Sequence, residues 1–154
     1  MTEAAHIAEQ LRNAFHGNAW HGPGLLELLA DIDAATAAAH PLPDVHSIWE
    51  LLLHIAAWDD AVNRRIVSRK ALQLNDAGNF PPVQDESHAA WKKTIAHAKK
   101  THAVLLKTVK ALPDRRLTER VPGKKYDIRF MLHGVAQHEV YHAGQIAILT
   151  KTLL

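Results

Sequence analysis

The two histidines of HEVYHAGQI, residues 138–146, stand four residues apart in a stretch that reads as helix. Four residues turn a helix by about 400°, so His138 and His142 share one face, a turn apart, which suits two ligands of a single divalent metal. Because Glu139 follows the first histidine, the run also fits H-E-x-x-H, the zinc-protease pattern in which the glutamate is general base for a metal-activated water. That reading fails on its surroundings. A protease of this kind needs a third ligand, usually downstream, and AGQIAILTKTLL after His142 holds no Asp, Glu or His. The extended pattern would place glycine at 145 and histidine at 148, where the chain has Gln145 and Ile148. No upstream segment alternates like the strands that line such active sites.

A third nitrogen comes from another segment. His54 lies inside LLLHIAAW, beside Trp58, at the margin of a face formed by Leu51, Leu52, Ile55, Val62 and Ile66. On the helix that carries the pair, Ile128, Met131, Leu132, Val135, Ile146 and Leu149 fall in one arc, and His138 and His142 sit at its edge by the ~100° per residue rule. Three neutral imidazoles on two facing helices would form a site with an open position, the arrangement of catalytic zinc. A lone histidine on an apolar face is equally a hydrogen-bonded core residue, and spacing leaves both readings of His54 open. The remaining histidines (His6, His16, His40, His46, His88, His97, His102 and His133) read as surface or capping residues. His21, in WHGPG, enters a helix through a tight turn and is a weaker candidate for a pocket.

The elements that must position these groups are helical throughout. The first spans about 3–16 and ends at Gly17. The second follows Gly22-Pro23, with proline in the first turn, and runs to about His40. The third opens at Ser47, whose S-x-x-E partner is Glu50, and reaches about Lys70. A fourth covers about 85–111, and a fifth runs from an Asp127 N-cap to about Lys151. Loops at 74–84 and 113–126 carry Pro81-Pro82 and Pro122-Gly123. The expectation is an all-α chain, 1–154 as one domain, with four principal helices bundled and one shorter helix added.

Composition narrows the function classes. The 154 residues carry a net charge of +2, with 18 basic against 16 acidic, and no basic block beyond Lys92–Lys93 and Lys99–Lys100. Neither nucleic acid nor a membrane surface is an expected partner. The absence of cysteine excludes disulfides, thiolate ligands and cysteine nucleophiles. The amphipathic start MTEAAHIAEQLRNAF is unlike a signal peptide, and no apolar run approaches ~18 residues, so a cytoplasmic protein is expected.

Taken together, HSIWELLLHIAAWDDAVNRRI at 46–66 and LHGVAQHEVYHAGQI at 132–146 resemble the DinB/YfiT-like superfamily of helical-bundle metalloproteins. AWHGPGLLELL at 19–29, NFPPV at 79–83 and ESHAAW at 86–91 add weaker support, and the similarity spans about 5–152. The resemblance implies a four-helix bundle with a long crossover, frequent homodimers, and zinc or nickel held by His54, His138 and His142. It also implies a small-molecule substrate and thiol-dependent chemistry, in which a low-molecular-weight thiol is transferred to an electrophile or used to isomerise one. The reacting group would then be a metal-bound thiolate or water. Hydrolysis at the same site, and a non-catalytic metal- or ligand-binding bundle, are the alternatives. Gln145 and Glu139 are candidates for supporting roles: Gln145 to orient a ligand beside His138, Glu139 as an interhelical partner for Arg64 or Arg65 or as a pocket carboxylate. Gly144, costly by ~1 kcal/mol inside a helix, is expected to permit close helix packing.

Overall fold

Each long helix starts on a short polar side chain that satisfies N–H groups left free by helix geometry. In the computed structural model, which describes Met1–Leu154, Thr2 accepts from the Ala5 amide to begin α1 (Glu3–His16). Ser47 and Glu50 satisfy one another's amides, at 3.1 and 2.8 Å, as a reciprocal box at the head of α4 (Ile48–Ser68). Ser87 opens α6 (His88–Ala111), and Asp127 opens α7 (Ile128–Leu153).

The short elements differ from expectation. The single second helix is two, α2 (Leu25–Leu29) and α3 (Ala34–Ala38), because two separate caps compete for the segment. The Glu27 carboxylate takes the Gly24 amide at 2.8 Å and starts α2 after Pro23. Asp33 then accepts from the Thr36 amide at 2.8 Å and starts α3 afresh. One turn of helix, α5 (Asp76–Asn79), lies in the first expected loop, and a 3-10 turn (Asp114–Thr118) in the second. The bundle therefore carries three short α-helices where one was expected.

Helices α1, α4, α6 and α7 form the bundle, with α4 packed on α6 and α7, and α1 packed on the same two from the opposite corner. Trp49 bonds Thr94, and Asn63 bonds Thr108, so α4 and α6 advance together with an unchanged offset and run parallel. Parallel neighbours need a return passage. Residues 69–87 supply it, and this is the long crossover.

Two apolar clusters fill the interior. One gathers Phe15, Ile48, Trp49, Leu51, Leu52, Ile55, Ala56, Trp91, Ala98, Ala143, Ile146 and Leu149; the other gathers Ile7, Leu11, Val62, Ile66, Leu105, Val109, Met131, Leu132 and Val135. On α4, α6 and α7 the changeover between them falls at Asp59, His102 and Glu139, all fully buried. A polar layer thus divides the core across its middle. No helix is long and apolar enough to cross a membrane.

Candidate metal centre

His54 on α4 and His138 and His142 on α7 come together, with ring centroids 4.8, 4.7 and 4.5 Å apart. The Nε2 atoms of His54 and His138 are 2.9 Å apart, and one nitrogen from each of the three lies within 4.8 Å of the others. Neighbouring ligands about a cation at roughly 2.1 Å stand about 3.0–3.4 Å apart, so the His54–His138 pair already stands close to that spacing.

Outer partners fix which ring nitrogen faces inward. His54 Nδ1 donates to the Asn79 carbonyl at 2.6 Å, which leaves its Nε2 as a lone pair. His142 Nδ1 donates to Gln145 Oε1 at 2.6 Å, with the same result. Such bonds orient metal-binding imidazoles and raise their basicity. His138 Nδ1 is buried without a partner. Burial, reinforced by the neighbouring imidazoles, pushes the His138 pKa down to about 3; burial lowers His54 and His142 as well. All three rings are therefore neutral near pH 7, the state a metal needs. Three imidazole nitrogens suit zinc, nickel, copper or iron better than magnesium or calcium.

The crossover supplies much of the surround. Phe80 stacks between His54 and His46, 3.9 Å from each ring, and Trp58 donates to the Asn79 side chain at 2.8 Å. Neither Asn79 nor Phe80 was singled out from sequence for a role at the site; their only signal was the NFPPV run.

Four sequence-based placements change. Gln145 bonds His142, not His138. Glu139 pairs with no arginine: its Oε1 is 3.0 Å from His102 Nδ1, since the helix turns it about 100° away from His138 into the core. Arg64 instead faces Asp60 at the surface, and Arg65 bonds the Leu72 carbonyl. His102 is no surface residue. It is fully buried, stacked 4.0 Å from Phe15, with Asp59 Oδ2 3.4 Å from the same Nδ1. Gly144 is exposed, and a Cβ there would meet nothing within 4 Å, so close packing does not explain it. His21 is exposed and lines a separate cleft with Trp20, His133 and Tyr141.

Asp59, His102 and Glu139 form a second group of metal-ligating types. Its charge is balanced differently. The two carboxylates hold the His102 pKa up at about 9 against burial. Burial and the neighbouring Asp59 raise Glu139 to about 8, so it keeps its proton near pH 7. Burial pushes the Asp59 carboxyl up as well, against the pull of His102.

A helical bundle with three inward imidazoles on two facing helices defines a small metal-binding protein class. The chain matches the DinB superfamily over residues 18–146, and it belongs to that family, whose members bind metal. No curated protein and no solved structure gives a match.

Proposed function

We propose that the protein is a divalent-metal-dependent enzyme in which His54, His138 and His142 hold the ion, zinc or nickel, and that it joins a low-molecular-weight thiol to a small electrophile. The observation that carries this reading is the pair of carbonyl acceptors, Asn79 O and Gln145 Oε1, which commit two imidazoles to present Nε2 lone pairs to one point. The ion, when bound, would supply Lewis acidity that lowers the pKa of a thiol. The chain's own part is positional. His54 and His142 are held in one tautomer, and Phe80 and Trp58 keep the His54 edge apolar and exclude water. In the transfer the thiol proton leaves to solvent, a sulfur–carbon bond forms and the bond to the leaving group breaks. The reading includes a homodimer, supported by fully exposed Trp20 and two-thirds-exposed Tyr141 lining one cleft.

The test is reconstitution with zinc or nickel, followed by metal counting and turnover of 1-chloro-2,4-dinitrobenzene with and without a small thiol. One ion per chain and turnover only with thiol are expected. Turnover without thiol assigns hydrolysis instead. A chain that stays metal-free overturns both, and sedimentation decides the dimer.

A further inference from the structure

A second feature lies one wall away from the three histidines. Arg65 is 3% exposed, yet no carboxylate lies within ion-pair distance of it. Its hydrogen-bonding partners are all neutral. The Leu72 carbonyl accepts from Nε and Nη2 at 3.1 and 2.8 Å, and the Tyr126 hydroxyl accepts from Nη1 at 3.3 Å. Met131 Sδ stands 3.9 Å from Nη1, and the guanidinium lies 5.4 Å from the Trp58 ring centroid. Carbonyls and a ring face solvate a cation in part, but they do not cancel its charge, and a buried charge without a counterion is costly.

The same arginine lines a cleft of about 270 Å³ whose walls include Trp58, Phe130, Met131 and Val135, with His138 also on its surface. The guanidinium sits beside Met131, and His138 lies seven residues further along α7, about 10 Å at 1.5 Å per residue. The cleft is therefore apolar along its length, cationic at one end, and bounded at the other by a histidine of the proposed metal site. The Tyr126 hydroxyl stands beside the guanidinium as a further hydrogen-bonding group.

We propose that this cleft is the specificity subsite of the protein and that its ligand is an elongated small molecule bearing a carboxylate. The carboxylate pairs with Arg65, the apolar body lies between Trp58 and Val135, and the far end reaches the three histidines. This rests on the reading of those histidines as the reaction centre. The carboxylate belongs either to the thiol or to the electrophile; the recognition chemistry is the same.

The test measures binding of 6-mercaptohexanoate, 6-mercaptohexanamide, hexanoate and hexanamide to the zinc-loaded protein by calorimetry. Each acid is expected to bind at least tenfold tighter than its amide, and Arg65→Met is expected to abolish that preference. Equal binding of acid and amide by the wild type, or a preference that survives Arg65→Met, overturns the proposal. Should Arg65→Met fail to fold, Gly134→Leu takes its place. Gly134 lines the cleft, and a Cβ there meets nothing within 4 Å, so a leucine side chain starts into open space. It is expected to weaken both acids at least tenfold with one zinc retained; unchanged binding overturns the proposal.

The sources separate within the same data. A mercapto acid that binds tenfold tighter than hexanoate places the carboxylate on the thiol, and equal binding places it on the electrophile. Hexanoate and hexanamide are also measured on His142→Ala, whose substitution lies outside the cleft. A preference for the acid that persists there with zinc lost keeps the cleft separate from the metal reading. A wild type that binds zinc but shows no preference fails the cleft alone.

Discussion

Helices α4 and α7 contribute to two histidine clusters, the second completed by His102 from α6, and their outer partners make them opposites. In the first, His54, His138 and His142 meet carbonyl acceptors or nothing, and burial drives all three neutral. In the second, His102 meets Asp59 and Glu139, and two carboxylates overcome burial to keep it charged. Both are desolvated, so burial does not decide the protonation state. The charge of the neighbours does. Neutral rings with inward lone pairs suit a cation, whereas the second cluster keeps its protons on His102 and Glu139.

The largest expected effect tests the first half of that contrast. His138→Ala is expected to reduce bound zinc from one per chain to near none in equimolar metal, while thermal unfolding of the metal-free protein moves by only a few degrees. Retained zinc would break the assignment. Next, His102→Ala leaves two buried carboxyl groups without their imidazole partner and should cost about 3–5 kcal/mol in denaturant unfolding. Replacing Asp59, His102 and Glu139 together by leucine should recover most of that loss, since apolar groups of similar volume carry no charge to bury. Failure to recover would show that the polar layer contributes through its packing shape.

The two clusters should also fail at opposite ends of the pH scale. For His138 the folded pKa of about 3 lies below the usual 6.5, so its contribution is present above about 6.5 and lost as pH falls toward 3. His102, raised to about 9, contributes fully below about 6.5 and loses that contribution as pH rises through 9; Glu139, raised from 4.5 to about 8, contributes fully below about 4.5 and loses that contribution as pH rises through 8. Unfolding temperatures of metal-free wild type should fall on both limbs, and His102→Gln should change the alkaline limb alone. The smallest effect concerns orientation. Gln145→Ala frees the His142 ring and should weaken zinc binding about 10–100-fold, read by chelator competition, with the fold unchanged.

The long helices were legible in the sequence because their caps and apolar spacing agree. Ser47 with Glu50, and Asp127 before Ile128, mark the starts of the two helices that carry the three histidines. The short elements were not legible, since Glu27 and Asp33 cap by side-chain bonds that a helical period does not record. Face and spacing paired His138 with His142 and left His54 open, and the resemblance joined it to them. His102 could not be placed in this way. Its partners are Asp59 and Glu139 on two other helices, which reach it only once the packing of α4, α6 and α7 is known. Asn79 was hidden for a related reason: a backbone carbonyl leaves no trace in residue type.

That carbonyl has a thermodynamic consequence. Because His54 takes its orientation from residue 79, in the return passage between α4 and α6, the ordering entropy of that passage enters the affinity for the ion. By linkage, an ion that needs the docked passage must in turn hold it docked. Amides of residues 75–80 should then exchange hydrogen more slowly once zinc is added. The connection that the bundle requires for its topology thus doubles as a latch whose closure the metal reports.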